Sequence, residues 1–424
     1  MQSNLQTGFM GKIGMDKKML MGYIGVLIFM MGDGLEQGWL SIYLGESGMT
    51  VQQTATLLSV YGIAVAISSW LSGILAEIYG VRRMMITGMV LFVLGTIVFL
   101  TVGIPTMNLS IMLPTYALRG LGYPLFAYSF LVWITYYAPT EKLGTAVGWF
   151  WVSFAGGLNM LGAYYSSFAL PYLGEMKTLW SALVFTAIGG LFAIVLCKPE
   201  TKVESKPLKE SLKHMTKGIT IAFEKPRVGL GGIVRAINTS GAYGLVVFLP
   251  AYMINAGFTT AQWLQIYAAL WASNVVFNLI WGVVGDRIGW RNTVMWIGAI
   301  GCAFFMASLY YVPYFFGANF ALTIIAAMCF GSCLAAYVPL SALIPSLAPE
   351  NRGAAMSILN LGAGLSTFIG PAVAGTFIES VGAVGVIWIY VGMHLFSAIL
   401  MIFVRLPKDV KQSEISTNTA LTGH

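Results

Sequence analysis

Gly73-Ile74-Leu75-Ala76-Glu77-Ile78-Tyr79-Gly80-Val81-Arg82-Arg83 separates two apolar stretches, and Gly282-Val283-Val284-Gly285-Asp286-Arg287-Ile288-Gly289-Trp290-Arg291 repeats its pattern 209 positions later. A second pair of loops keeps nearly the same offset. Ala138-Pro139-Thr140-Glu141-Lys142-Leu143-Gly144 is answered by Ala348-Pro349-Glu350-Asn351-Arg352-Gly353, 210 positions on. Two independent loops at one spacing mean a duplicated half, the internal repeat expected of secondary transporters.

The chain around these loops is 58% hydrophobic and 9% charged, with a mean hydropathy of +0.79. A water-soluble fold of this length could not hide so much apolar surface, so the solvent is lipid. The pattern predicts an all-α integral membrane protein of twelve spans, numbered in order: 19–44, 52–76, 84–104, 110–137, 143–170, 178–197, 228–254, 262–284, 293–313, 318–347, 353–378 and 384–405. The expected organisation is an N-terminal segment (1–18), a six-helix half (19–197), a central loop (198–227), a second six-helix half (228–405) and a tail (406–424). The central segment is rich in Lys and Glu and punctuated by Pro199, Pro207 and Pro226. Within it, Leu208–Phe223 reads as a surface helix on the inner leaflet, and the polar tail as disordered.

Basic residues set the orientation. Of 23 Lys and Arg, only Lys177 falls in a loop on the opposite side, so both termini and the central loop are expected in the cytoplasm. That asymmetry accounts for the net charge of +7 and excludes nucleic acid as its explanation. No cleavable signal peptide is read ahead of span 1. Cys197, Cys302, Cys329 and Cys333 lie in apolar helices without a CxxC pair, and His214, His394 and His424 are scattered, so neither a metal site nor a cofactor is expected. An enzyme would need a nucleophile–base or metal constellation at one depth, and none is seen. No G-x-x-x-x-G-K-[ST] loop points to an ATP-driven pump, and a membrane sensor would carry an added cytoplasmic domain.

Six plus six spans with a G-x-x-x-[DE]-x-x-G-x-[RK] loop after spans 2 and 8 resemble the major facilitator superfamily from about Lys18 to Arg405. The first copy departs from that pattern, with Glu77 in place of Asp and Ile78 where a base is common. The resemblance implies that Glu77 faces the start of span 11 (Arg352, Gly353) and Asp286 the start of span 5 (Lys142, Gly144). With Arg82 and Arg291 beside them, they would latch the cytoplasmic gate, an acid near a helix N-terminus gaining about 0.3–2 kcal/mol. Gly73 and Gly282 are expected to let neighbouring helices approach closely. More narrowly, Met31-Gly32-Asp33-Gly34-Leu35-Glu36-Gln37-Gly38-Trp39-Leu40-Ser41 and Ala117-Leu118-Arg119-Gly120-Leu121-Gly122-Tyr123-Pro124 resemble the bacterial ribitol/D-arabinitol (polyol) permease family.

Four ionisable residues lie inside predicted spans: Asp33, Glu36, Arg119 and Arg235. Charges at depth face a cavity and work there. At about 1.5 Å per residue, Asp33 and Glu36 rise ~21 and ~26 Å up span 1, and Arg119 stands ~27 Å above the cytoplasmic end of span 4. All three share a depth, and Asp33 and Glu36, at i and i+3, fall on one face. A carboxylate beside a guanidinium can exchange ion pairing for a proton, so Asp33 is read as the proton carrier with Glu36 and Arg119 as partners. The same three groups are read as substrate contacts. Arg235, ~12 Å into span 7, reads as an inner-gate residue or an interfacial charge. Tyr123, Asn238, Tyr243, Trp271, Asn274, Asn278 and Asn360 are the further substrate candidates, with Asn159 beside them. Amides and indoles suit a polyhydroxylated molecule.

Gly364 to Gly375, with Gly370-Pro371, suggests a bendable gating helix in span 11. The Gly-Pro pair typical of drug antiporters is missing from span 5. The expected protein is therefore a monomeric transporter in a bacterial inner membrane. It would import ribitol or D-arabinitol with protons by alternating access. The alternative is proton symport of a small organic anion such as a sugar acid; the formal cancellation of Asp33 and Glu36 against Arg119 and Arg235 favours the neutral solute.

Overall fold

A computed structural model describes residues 17–138, 143–199 and 220–406. Within them the chain is helical and crosses the molecule twelve times, as the apolar periodicity requires. The passes are α1 (Lys17–Gly34, resuming as Leu40–Glu46), α2 (Val51–Tyr79), α3 (Val81–Val98 with a π-helical turn at Phe99–Gly103), α4 (Leu109–Tyr137), α5 (143–173) and α6 (175–196). The second half repeats them as α7 (Pro226–Asn255), α8 (Thr260–Ile288), α9 (290–316), α10 (Phe320–Ala335, resuming as Leu340–Ser346), α11 (352–381) and α12 (383–403). Among the described residues, nine continuous helical runs are long and apolar enough to cross a membrane, and two of them, of 51 and 50 residues, each hold two passes.

Those double runs fold back at a glycine. Gly174 (φ 74°) and Gly382 (φ 65°) break α5 from α6 and α11 from α12 in a conformation that a side chain would strain. The duplication read from two loops recurs in the backbone. Gly80 and Gly289 both take φ near 90° between the second and third pass of each half. Thr50 with Gln53, and Thr259 with Gln262, form matching capping boxes at the starts of α2 and α8.

Packing inside each half is close because small residues permit it. Gly34 of α1 stands against the Leu158 backbone of α5, and Gly95 of α3 against the Arg119 backbone of α4, where a Cβ would collide. Phe29, Phe92, Phe126 and Phe130 fill the first bundle, fully buried. At the foot of the second half, the Lys225 ammonium pairs with Glu350 and holds that exposed carboxylate below its usual range.

The halves meet along a seam. Ser41 donates to the Val246 carbonyl (2.6 Å), Trp263 Nε1 to the Gly38 carbonyl (2.7 Å), and Tyr267 to Gln37 (3.4 Å). Nearer the middle, Thr367 donates to the Gly62 carbonyl at 3.3 Å. The first three bonds lie on the face opposite the Arg82–Arg83 and Arg287–Arg291 loops. On the basic face, Gly73 and Gly282 border open space, with nothing within 4 Å of a Cβ placed on either. The expectation of close helix approach at these two glycines is therefore corrected. The tight glycine contacts of this seam are at Gly62, Gly364 and Gly375 instead.

Candidate functional site

Span 1 is not one straight helix. It leaves α-helical geometry after Gly34, passes through a turn at 35–39 containing Gly38 (φ 91°), and resumes at Leu40. Asp33 is thus the penultimate residue of a helix and Glu36 lies in the turn. The expectation that both share one regular helical face is corrected, yet the turn directs both carboxylates to the same partner.

That partner is Arg119 of α4. Its Nη1 pairs with Glu36 Oε2, and its Nη2 lies 3.5 Å from Asp33 Oδ1 while donating to the carbonyls of Asp33 (3.2 Å) and Gly32 (3.4 Å). The guanidinium carbon sits 4.7 Å from the centroid of the Phe92 ring, a cation–π contact from α3. All three charges are at least 97% buried. Glu36 is fully engaged, since Tyr116 donates to its other oxygen. Asp33 is not: Tyr61 of α2 donates to Oδ1 at 2.6 Å, whereas Oδ2 meets no hydrogen-bond donor among the described residues. One carboxylate is a braced counter-ion; the other keeps a buried oxygen without a donor among the described residues, where a proton can add without displacing a hydrogen bond, its longer ion pair to Arg119 being given up in the exchange.

A second charge stands across the seam. Arg235 of α7 faces inward, close enough to the hydroxyls of Tyr128 (α4) and Tyr243 (α7) to feel both. With its amide oriented to satisfy both neighbours, Asn238 accepts from Arg235 Nη1 (2.5 Å) and donates to the Leu334 carbonyl (3.3 Å). No carboxylate lies within 4 Å of Arg235 among the described residues. Tyr243 is the hub between the two centres. It faces the Asn159 side chain, senses both Arg235 and Asp33, and its ring lies 6.0 Å from that of Trp271. Asn159 sits in a π-helical turn (Gly156–Leu161), a local irregularity frequent at functional sites. Trp271 Nε1 and Asn159 Oδ1 are buried without a hydrogen-bond partner among the described residues. Tyr123 is buried and lies 6.4 Å from the Tyr61 ring.

Other expected residues fall elsewhere. Asn274 donates to the Gly331 carbonyl of α10 (3.2 Å) and accepts from Asn278 (3.2 Å). The expectation that Asn274 offers its amide to a substrate is corrected, since it ties α8 to α10, while Asn278 bonds Asn274 within α8. Asn360 is exposed. On the basic face, Tyr136 donates to Glu77 (3.0 Å) and Trp290 to Asp286 (2.7 Å), both within their own halves. Arg291 lines a cavity of about 480 Å³ with Asp286, Trp290 and Leu343. Lys142 and the Arg352 side chain, the other halves of the latches, lie outside the described residues. Most of the 208–223 segment and the tail also fall outside. Tyr61, Tyr116 and Tyr128 escaped the sequence reading. Tyr116 was findable, because it stands three residues before Arg119 on the same helical face.

Twelve passes in two repeated bundles, with buried charges and polar side chains between them, define a multi-pass membrane transporter. The profile of the Major Facilitator Superfamily matches residues 22–277 and 232–421, and the chain belongs to that family. It is 51% identical to the alpha-ketoglutarate permease of Bacillus subtilis (strain 168), over 94% of this chain and 92% of that one. It is 36% identical to the ribitol transporter of Klebsiella pneumoniae, over 93% of each. Among solved structures, a D-xylose-proton symporter superposes with a TM-score of 0.72 at 16% identity, covering 90% of this chain and 96% of that one, a likeness of fold. These relatives are transporters, and the chain is no enzyme.

Proposed function

We propose that the protein imports a small organic anion carrying a carboxylate, together with protons, through the inner membrane of a bacterium, with both termini cytoplasmic. The observation that carries this reading is the inequality of the two arginines. Arg119 is neutralised by Glu36 and Asp33. Arg235 faces the seam with an amide and phenol hydroxyls around it and no carboxylate within 4 Å among the described residues. A half-buried guanidinium on the seam, without a carboxylate among the described residues, is a fitting receptor for a carboxylate, which it can bind through paired N–H groups.

Charge conservation supports the coupling. Asp33, Glu36, Arg119 and Arg235 sum to zero when all are ionised. A bound monoanion restores that sum if Asp33 takes up one proton, and a dianion such as 2-oxoglutarate does so if a second proton enters with it, so anion and protons together cross at no net cost in buried charge. The earlier inference from formal cancellation toward a neutral solute therefore loses its force: the charges cancel in total but are separated in space. Asn159, Asn238, Tyr123, Tyr243 and Trp271 would hold the remainder of the substrate. One polypeptide contains both walls of the passage, so a monomer suffices. The 51% identity to a permease named for alpha-ketoglutarate agrees with this class.

Proton symport of a linear polyol is the second reading, favoured by the ribitol relative and by those neutral side chains. Uptake into proteoliposomes under an inward pH gradient separates the two. Saturable accumulation of labelled 2-oxoglutarate, unaffected by excess ribitol or D-arabinitol, is expected. Saturable pentitol uptake with no oxoacid uptake would replace the anion reading with the polyol one.

A further inference from the structure

Among the described residues Asp33 is engaged at Oδ1 only, where Arg119 stands at 3.5 Å, and the one short hydrogen bond it accepts there comes from a helix that also forms the seam. Tyr61 of α2 gives its hydroxyl to Asp33 Oδ1. The next residue, Gly62, is where α2 and α11 touch backbone to backbone: a Cβ there would collide with the Thr367–Phe368 peptide, and Thr367 donates to the Gly62 carbonyl. Tyr61 is also held in place. Its ring lies 4.6 Å from that of Tyr116, the residue that braces Glu36, and its backbone packs against Gly120, one residue from Arg119.

We propose that Tyr61 is a positioning residue that transmits the charge state of Asp33 to the α2–α11 seam. This rests on the reading of Asp33 as the proton carrier. An ionised Asp33 accepts a charge-assisted hydrogen bond that holds Tyr61, and with it Gly62, against Thr367. A proton on the open Oδ2 turns that bond into a weaker neutral one. The α2 backbone is then freer to slide along α11, the relative motion of halves that alternating access needs. The groups facing Asp33 are Arg119, Tyr116 and Tyr123 from α4, Glu36 from α1, Tyr61 from α2 and Tyr243 from α7. Of these, Tyr61 alone neighbours the Gly62–Thr367 contact in sequence. A purely structural tyrosine would affect folding and overall rate, without dependence on pH.

The test uses the full chain carrying Gly73→Cys, a position bordering open space on the basic face, and follows maleimide labelling against pH with no substrate present. In this background the labelling rate should change several-fold across the titration. Asp33→Asn should flatten the response. Tyr61→Phe should move its midpoint about one pH unit alkaline, because the carboxylate loses a charge-assisted donor. Thr367→Ala, at the far end of the relay, should reduce the amplitude at an unchanged midpoint. A wild-type response in Asp33→Asn would overturn the proton-carrier reading itself. A flat Asp33→Asn with wild-type midpoint and amplitude in Tyr61→Phe would overturn the relay alone. An unchanged amplitude in Thr367→Ala would remove the seam from it.

Discussion

At the residue scale, Asp33 and Glu36 differ by what already surrounds them. Glu36 has an arginine on one oxygen and a tyrosine hydroxyl on the other, so its neutralisation removes the closer of Arg119's two counter-ions and leaves only Asp33, at 3.5 Å. Removing one partner of such a pair costs roughly 3–5 kcal/mol. Glu36→Gln should therefore lower the yield of folded transporter and its melting temperature, measured in detergent by fluorescence-detected gel filtration. Asp33→Asn should leave stability nearly intact and abolish accumulation against a gradient, while counterflow exchange persists. Accumulation at the wild-type level in that variant would reject Asp33 as the proton carrier. For Arg235→Gln, loss of charged hydrogen bonds worth about 1.5–3 kcal/mol predicts a KM for the anion raised roughly ten- to one-hundred-fold. An unaltered KM would relocate the anion contact.

At the scale of elements, irregularity places the chemistry. The turn at 35–39 brings Glu36 to Arg119, and the π-helical turn at Gly156–Leu161 lies beside it through Gly34 and Leu158. This contact has no room for a side chain on the α1 side. Gly34→Leu should separate α1 from α5 and displace both acids from Arg119, costing several kcal/mol as an overpacked core does. The expected result is protein that reaches the membrane in low amount and does not transport; normal uptake would show that the contact is dispensable. Asn274 and Asn278 make the opposite point. Their i, i+4 spacing was visible, but which neighbour the shared face meets depends on where α10 lies.

At the scale of the whole molecule, the seam is sealed on the face opposite the basic loops and open at Gly73 and Gly282. Tyr136 and Trp290 hold Glu77 and Asp286 within their own halves, and we propose that both acids exchange these partners when the basic face closes. Glu77→Gln and Asp286→Asn should both raise maleimide labelling of a cysteine placed on the basic side of the passage, by a few-fold, since each latch contributes about 0.3–2 kcal/mol. Equal labelling in both variants would dismiss the latch.

The sequence by itself determined the solvent, the number of passes, the duplication and the family, because each depends on composition and periodicity along one dimension. It also determined that Asp33, Glu36 and Arg119 meet, since depth in a bilayer converts residue counts into a shared coordinate. Only the tertiary structure decided which acid is engaged at both oxygens, that Arg235 stands without a carboxylate among the described residues, and that Tyr61, beside the Gly62 contact, donates to Asp33. Those facts depend on the rotation and separation of helices about their axes. Such rotations follow from glycine contacts between distant segments, and linear spacing does not encode them.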